Sequence, residues 1–307
     1  MTLSQIAYFA SLYFRTRGMI MVTASHNPKE YNGFKFGTGY SETMLTEDIH
    51  EYRDLVKAGK FVTRAPIGAY IQKDIKKDYI EDLMRRIDPI RKFKVVVDSC
   101  AATTGVYLPD VFRRVGCEVF EQNTKPDGNF PVGTPDPTER EVQERLARGV
   151  VDNKADIGFS YDCDGDRVGI VDGDGNLIWN DTWIALIAKD ILGALPGSKF
   201  VYNTLCSKQV DDVVREMGGI PVIWKTGHSF IKAKVKEERA PFGGELSGHL
   251  YFVDNYYGHE DGALASLRLL AYLTRVNQSL KQAVVELPHY DSSPEIKVGC
   301  PDKIKFQ

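Results

Sequence analysis

The sequence predicts an α/β protein made of consecutive α/β domains, with mixed, mostly parallel sheets flanked by helices. Three segments each contain a short apolar or β-branched run that ends in a small polar loop with a serine: MIMVTAS (19–25), KVVVDSCAATTG (94–105) and KFVYNTLCS (199–207). In the second and third segments a helical pattern and another apolar run follow. Strand, helix and strand in this order form a βαβ unit, so each segment is expected to carry a mostly parallel sheet.

The elements follow in chain order. The apolar start of the chain is expected to form an amphipathic helix and not a signal peptide. A signal peptide requires basic residues before its apolar run, and none precedes the short apolar run here. Further helices are predicted at 78–87, 106–115, 209–217 and 262–275, and further strands at 117–120 and 220–224.

Composition shifts predict four regions. A polar connector with Pro66 and Gly68 separates the first two domains, and the glycines of VDGDGNLIW form a turn near the next boundary. The expected domains are 1–70, 71–175 and 176–289. Residues 290–307 are expected to be a linker to the start of a further domain.

Composition also excludes several partners. The 307 residues are 43% hydrophobic and 26% charged, with a net charge of −3, which offers no field to attract nucleic acid or an anionic membrane. No window approaches the ~18–20 apolar residues that span a bilayer. Five scattered cysteines are typical of reduced thiols, so a cytoplasmic location is expected.

Ligands of open α/β sheets bind beyond the carboxyl ends of the strands. Ser25, Ser99 and Ser207 all lie at such ends. If the domains face one another, these loops converge on a shared cleft.

The strongest metal signal is FSYDCDGDRVGIV, in which Asp162, Asp164 and Asp166 alternate with small residues. Alternate side chains of an extended segment point the same way, so three carboxylates converge and need a cation. All-oxygen ligands favour Mg²⁺ first, and Mn²⁺ or Ca²⁺ second. An EF-hand is excluded because Arg167 and Gly173 occupy its glycine and glutamate positions. A solvated acidic loop is the alternative.

The stretch VTASHNPKEYNGFK places Ser25 at the end of a strand, where the following backbone N–H groups can face an anion. Asn32-Gly33 predicts a type I′ turn that returns the chain as a strand, with Lys35 directed toward Ser25. Serine is a weak nucleophile without a triad, but phosphoryl transfer depends mostly on positioning and charge. The alternative is that Ser25 is a cap and Lys35 a surface charge.

Two further loops have ligand-binding character. KTGHSFIK places Lys225 and His228 around a glycine, and FGGELSGHL offers Glu245, Ser247 and His249 between glycines that permit close approach. A glutamate and a serine at alternate positions suit neighbouring sugar hydroxyls. Either histidine alone favours a structural role, whereas two such loops together favour a ligand site.

Four motifs in order carry a specific resemblance: TASHNP, DCDGDR, KTGHS and GGELSGH. Together they resemble the motif set of the α-D-phosphohexomutases, in particular the phosphomannomutase/phosphoglucomutase branch, over essentially the whole chain. The resemblance implies phosphohexomutase-type α/β domains that face a shared cleft. It also implies a chain that lacks the start of domain I and all of domain IV.

The resemblance further implies residue roles. It makes Ser25 the phosphorylated serine, with Mg²⁺ bound by a phosphoserine oxygen and three carboxylates: Asp162, Asp164 and Asp166. Around the reacting phosphate it places His26, Lys35 and Arg167, with His249 as a proton-transfer group. To the sugar phosphate it assigns Lys225 and His228, and to the sugar hydroxyls Glu245 and Ser247.

The implied activity is that of an isomerase, an intramolecular phosphotransferase that interconverts hexose 1-phosphate and hexose 6-phosphate. Mannose, glucose or both serve as the hexose, with hexose 1,6-bisphosphate as intermediate and activator. The alternatives are a truncated, non-catalytic remnant that binds Mg²⁺ and sugar phosphate, one part of a split mutase completed by another polypeptide, and a metal-dependent phosphatase.

Overall fold

The computed structural model of the chain describes residues 1–63, 65–290, 300 and 304. Its helices are α1 (Ser4–Tyr13), α2 (Thr46–Lys57), α3 (Lys76–Arg86), α4 (Leu108–Arg114), α5 (Arg140–Asn153), α6 (Asn180–Ala194), α7 (Lys208–Glu216), α8 (His228–Glu238), α9 (Gly262–Val276) and α10 (Leu280–Val285), with a 3₁₀ turn at Thr103–Val106. Its strands are β1 (Met19–Val22), β2 (Phe34–Gly39), β3 (Glu42–Thr43), β4 (Lys94–Asp98), β5 (Glu118–Gln122), β6 (Ile157–Tyr161), β7 (Val168–Asp172), β8 (Leu177–Ile178), β9 (Lys199–Asn203), β10 (Ile220–Trp224), β11 (Phe242–Gly244) and β12 (Leu250–Phe252). The expected linker at 290–307 lies almost entirely outside the described residues.

The second and third sheets share one plan. In the second sheet, β4 lies between β5 and β6 and is parallel to both, while β7 and β8 add antiparallel strands. In the third sheet, β9 lies between β10 and β11 and is parallel to both, and β12 is antiparallel. Helices α4 and α7 connect parallel neighbours, and α8 crosses over β9 to connect β10 to β11, as parallel strands require. The predicted α/β class, with mixed, mostly parallel sheets flanked by helices, is confirmed.

The first sheet differs from the expected parallel arrangement. Its described strands have the order β1-β2-β3, and both pairs are antiparallel. The chain returns from β1 to β2 through the loop 23–33 without a crossover helix, and only a crossover could make these two strands parallel.

The turn predicted at Asn32-Gly33 is also different. The chain does return as a strand, but a type I′ turn needs positive φ at both central residues, and neither has it. Instead the loop folds through turns at 24–27 and 28–31, and the N–H of Thr23 donates to the carbonyl of Gly33 at 3.0 Å. The wider loop leaves room for the polar side chains of SHNP.

The two faces of the first sheet have different surroundings. Lys35 pairs across the strands with the buried Met21, so both side chains lie on the inner face. Ile20, Val22 and Phe34 lie on the outer face and are exposed. The sheet therefore directs Lys35 into the molecule.

A common core joins the second and third sheets. Helix α1, which corresponds to the amphipathic helix expected at the start of the chain, contributes Leu3, Ile6 and Phe9 to it. The same cluster contains Phe159 of β6 and Trp183 of α6. Among the described residues, no helix combines the length and apolar character needed to cross a membrane.

Asp261 links the second sheet's helix α3 to the third sheet's helix α9. Its carboxylate accepts hydrogen bonds from the hydroxyls of Tyr79 at 2.9 Å and Tyr256 at 2.6 Å, and from the N–H of Leu264 at 3.0 Å. Burial raises the pKa of Asp261 to about 6, and these hydrogen bonds oppose the rise only in part.

We expect this carboxyl to make stability depend on pH. Because its folded-state pKa of about 6 exceeds the ordinary 3.8, the contribution of Asp261 to stability is full below pH 3.8 and is lost as the pH rises through about 6. Relative to Asp261→Asn, the wild-type free energy of unfolding should fall across this window, by on the order of 2–3 kcal/mol. Urea melts of both proteins at several pH values measure it. A difference that stays flat, or that grows with pH, would contradict the assignment.

Candidate functional site

The acidic loop 162–167 connects β6 to β7. The carboxylates of Asp162, Asp164 and Asp166 are buried and bring one oxygen each within 4.8 Å of the others. Asp162 closes the loop itself, since its Oδ1 accepts from the N–H of Gly165 at 3.0 Å and of Arg167 at 3.2 Å. Gly165 has a φ of 78°, a conformation that favours glycine. The convergence of three carboxylates expected from their alternation is therefore present.

Two helix starts hold this loop from outside. Ser4, at the start of α1, donates its N–H to the carbonyl of Asp164 at 2.9 Å and its hydroxyl to the carboxylate at 2.8 Å. Gly262, at the start of α9, donates its N–H to the carbonyl of Gly165 at 3.1 Å. A side chain at position 262 would place its Cβ 2.8 Å from that carbonyl oxygen, so only glycine fits. The loop is thus fixed by elements far apart in sequence.

Lys35 supplies positive charge to the cluster. Its Nζ donates to Asp164 at 2.9 Å, to Asp166, and to the hydroxyl of Ser4 at 3.1 Å. Burial acts to lower the pKa of Lys35, but the nearby carboxylates outweigh it and hold the pKa well above its ordinary value. Lys35 was expected to be directed toward Ser25, and its Nζ ends on two carboxylates of the cluster that also binds the Ser25 hydroxyl.

The carboxylates differ in their electrostatics. Burial raises the pKa of Asp162 well above its usual range, and the charges of Asp166 and Asp164 add to the rise. Burial also acts on Asp166, but Lys35 and then His249 bring its pKa below the usual value. Within the described part of the chain, Oδ1 of Asp164 and Oδ1 of Asp166 are buried without a hydrogen-bond partner.

The two carboxylate oxygens without a partner test whether these residues fit a bound metal ion. A buried carboxylate oxygen without a partner is costly unless a cation binds it. The donor set consists of oxygens alone, which is the set preferred by hard divalent cations such as Mg²⁺. The residues present therefore fit the expected metal.

Ser25 lies against this cluster. Its hydroxyl donates to Oδ2 of Asp162 at 2.7 Å, and Nδ1 of His26 lies 3.3 Å from the same hydroxyl. The backbone of Ser25 has a φ of 51°, in the left-handed region, and its N–H donates to the hydroxyl of Thr23 at 2.9 Å. Non-glycine residues in this region are uncommon and cluster at functional sites.

A guanidinium and a further carboxylate complete this side of the site. Arg167 is buried, with Nε 3.5 Å from Asp162 and Nη1 3.3 Å from Asp136. His26 places Nε2 3.9 Å from Asp136. Burial and then Arg167 lower the pKa of the His26 imidazole, which Asp136 opposes. Arg167 and Ser25 therefore share Oδ2 of Asp162 as a partner, and Nη2 of Arg167 is buried without a hydrogen-bond partner among the described residues.

The loop between β11 and β12 docks on the acidic loop. Arg167 and His249 form an antiparallel bridge, and Nδ1 of His249 lies 3.7 Å from Oδ1 of Asp166. The ring centroids of His249 and His228 are 5.8 Å apart. Burial lowers the pKa of His249, against the effect of Asp166. The residues expected in one cleft from three different segments are thus neighbours.

The two sugar-loop candidates are joined by Glu245. This buried carboxylate accepts from the N–H of Gly227 at 2.8 Å and from the hydroxyl of Tyr251 at 2.9 Å. Ser247 is half-buried in the turn before His249. Lys225 is exposed, with Nζ 3.7 Å from the ring centroid of Phe230. The substrate-binding roles of these residues stay predictions.

Three residues of the site were not expected from any sequence pattern: Ser4, Asp136 and Glu260. Ser4 begins a helix, and Asp136 lies in the turn-like stretch TPDPTE, where aspartate is common. Glu260 precedes the Asp-Gly at the start of α9 and faces Lys232 at 2.7 Å. All three act through contacts across more than 25 positions of the chain.

The sequence matches three family models, all described as phosphoglucomutase/phosphomannomutase, alpha/beta/alpha. Domain I matches residues 1–63, domain II residues 77–175 and domain III residues 179–290. The boundaries expected from composition stay predictions.

Similar proteins bear related names. A phosphomannomutase/phosphoglucomutase from Pseudomonas syringae pv. tomato is 35% identical over 299 residues, which cover 97% of this chain and 64% of the relative. A phosphoglucomutase from Neisseria gonorrhoeae is 33% identical over 98% of this chain and 65% of its own length. The crystal structure of a phosphoglucomutase/phosphomannomutase family protein from Burkholderia thailandensis superposes with a TM-score of 0.90 at 36% identity, covering 96% of this chain and 65% of that one.

The chain therefore spans somewhat less than two thirds of the length of these relatives. Within that span, the order of its motifs, the three matched domains and the superposed fold all agree with the resemblance drawn from the sequence. The chain belongs to the phosphoglucomutase/phosphomannomutase family.

Proposed function

We propose that this chain provides the phosphoserine, metal and sugar-phosphate sites of an isomerase that interconverts hexose 1-phosphate and hexose 6-phosphate, with mannose, glucose or both as the hexose. The observation that carries the proposal is the hydrogen bond from the Ser25 hydroxyl to Asp162, at 2.7 Å, beside two more buried carboxylates. A phosphate on Ser25 would lie next to the metal site and to Arg167.

Mg²⁺ would be held by Asp162, Asp164, Asp166 and an oxygen of phosphorylated Ser25. When bound, it would neutralise charge on the phosphoryl oxygens and so favour their transfer. The all-oxygen donor set and the two orphaned carboxylate oxygens support this assignment.

The transfer itself needs a nucleophile, a base and fixed positive charge. The bond between phosphorus and Oγ of Ser25 breaks while one forms between phosphorus and the oxygen of the free sugar hydroxyl, and Oγ leaves with the electron pair of the broken bond and takes up a proton to restore the serine hydroxyl. The hydroxyl proton passes to a base, which we assign to His249, because its lowered pKa keeps the ring neutral near neutral pH. Arg167 and Lys35 face the negative charge that spreads over the phosphoryl oxygens, with His26 beside Ser25.

The product of this half-reaction is a hexose 1,6-bisphosphate, which must turn around before its other phosphate returns to Ser25. We assign Lys225 and His228 to the distal phosphate, and Glu245 and Ser247 to the sugar hydroxyls. Each oxygen of Glu245 accepts one protein hydrogen bond and keeps a lone pair for a hydroxyl. A complementing polypeptide that completes the cleft, and a cytoplasmic location, belong to the same proposal.

Phosphorylation of Ser25 is directly measurable. Incubation with glucose 1,6-bisphosphate and Mg²⁺ should add one phosphate to the wild-type chain, seen by intact-mass spectrometry, and none to Ser25→Ala. Ser207→Ala is the matched control, because Ser207 also follows a strand end and is half-buried, yet belongs to no part of the proposed site. Equal labelling of wild type and Ser25→Ala would place the phosphate elsewhere and contradict the proposal.

Turnover is tested by a coupled assay that follows glucose 1-phosphate to glucose 6-phosphate, primed with glucose 1,6-bisphosphate. We expect conversion by the chain together with a C-terminal fragment of a relative, and its loss by at least 10³-fold in Ser25→Ala, on the scale of removing a covalent nucleophile. Tight bisphosphate binding without isomerisation, both with and without the C-terminal fragment, would select the non-catalytic remnant. Release of inorganic phosphate without isomerisation would select the phosphatase.

Lys35 should compete with the metal. Because its ammonium lies 2.9 Å from Asp164, Lys35→Met removes a positive charge from the site, and Mg²⁺ should bind about tenfold more tightly, as measured by calorimetry. Stability without metal should fall, since the carboxylates lose their counter-charge. Lys29→Met is the control, because Lys29 is exposed on the loop 23–33 that precedes the strand of Lys35, 3.4 Å from Asn129. An unchanged Mg²⁺ affinity in Lys35→Met would show that the metal binds elsewhere.

A further inference from the structure

A buried ion pair lies behind His228. Nζ of Lys232, in α8, is 2.7 Å from Oε2 of Glu260, and the side chains are 5% and 0% exposed. Lys232 also lies over the ring of Tyr8, 4.1 Å from its centroid. The pair therefore joins α8 and the segment before α9 to helix α1.

Such a pair needs an explanation beyond stability. Moving two charges out of water costs several kcal/mol each, and an apolar pair of similar size is often as stable. Burial acts to raise the pKa of Glu260, but Lys232 and then His228 outweigh it and hold the pKa well below the usual range. Glu260 is thus kept as a carboxylate.

The second oxygen of this carboxylate faces a histidine of the proposed site. Oε1 of Glu260 lies 3.3 Å from Nδ1 of His228, whose side chain is 35% exposed at the start of α8. Neither atom has a hydrogen bond of good geometry among the described residues, but two lone pairs at this distance would repel, which favours a proton on Nδ1. Nε2, on the other side of the ring, is then the nitrogen left for a ligand, as in the histidines that a carboxylate orients in enzymes and metal sites.

We propose that Glu260 is a positioning residue: it holds the proton of His228 on Nδ1 and presents Nε2 to the hexose phosphate, while Lys232 balances the charge of Glu260. The presentation of Nε2 to a sugar phosphate rests on the proposed function, whereas the orientation of the ring by Glu260 does not. The competing role is a purely structural link between α8, α1 and the segment before α9.

The first test is the wild-type protein without ligand. A long-range ¹H–¹⁵N NMR spectrum reports which ring nitrogen of each histidine carries a proton, and His228→Gln identifies the His228 signals. We expect the Nδ1–H form for His228. The Nε2–H form would overturn the proposal without any variant of Glu260.

The second test replaces the pair without stranding either charge. In Glu260→Met/Lys232→Met no acceptor faces Nδ1, so the Nδ1–H signature of His228 should be lost and glucose 1,6-bisphosphate should bind about tenfold more weakly. In the matched variant Glu260→Gln/Lys232→Met, the amide oxygen of the glutamine can still accept a hydrogen bond from Nδ1. The Nδ1–H form of His228 should therefore persist, and the affinity for glucose 1,6-bisphosphate should fall less than in the Met/Met variant.

The outcomes separate the two proposals. A folded Met/Met variant with an unchanged His228 signature and unchanged bisphosphate affinity would overturn the positioning role and leave a structural link. If the Met/Met variant does not fold, loss of the Nδ1–H form in the Gln/Met variant would count against hydrogen-bond positioning. A changed signature in a chain whose wild type binds no bisphosphate would support Glu260 as the positioning residue and contradict the proposed function instead.

Discussion

Mutual repulsion among three buried carboxylates is the constraint on which the rest of this molecule depends. The loop 162–167 cannot hold Asp162, Asp164 and Asp166 together unless other segments bring positive charge and N–H donors to it. Lys35 comes from the first sheet, and Ser4 and Gly262 supply N–H groups from two helix starts. The chain itself therefore supplies counter-charge to the three carboxylates.

The local parts of this arrangement could be predicted from the sequence, since their cause is local. Alternation within one loop is enough to bring three aspartates together, and β-branched runs followed by helical patterns are enough for the second and third sheets. The first sheet was not predictable in the same way, because strand direction depends on what connects the strands. The loop 23–33 has the turn residues Asn32-Gly33 but spreads its reversal over two earlier turns.

Contacts between segments far apart in the chain could not be predicted from the sequence. Asp136 meets Arg167, and Glu260 meets His228 and Lys232, only because distant segments are brought together by tertiary packing, and no spacing encodes that packing. Glu245 illustrates the same limit: its position between glycines predicts a ligand contact, whereas its surroundings also make it the tie between two loops. A residue can be expected in the site from sequence, but its partners follow from the tertiary structure.

The left-handed backbone of Ser25 has a conformational cost. At a φ of 51°, the backbone conformation of a serine is higher in energy than that of a glycine, by on the order of 1 kcal/mol. Glycine at this position would relax the loop, but it would also remove the hydroxyl that donates to Asp162. The hydrogen bond to Asp162 offsets this backbone cost, so the contact that positions the Ser25 hydroxyl also stabilises serine at this position.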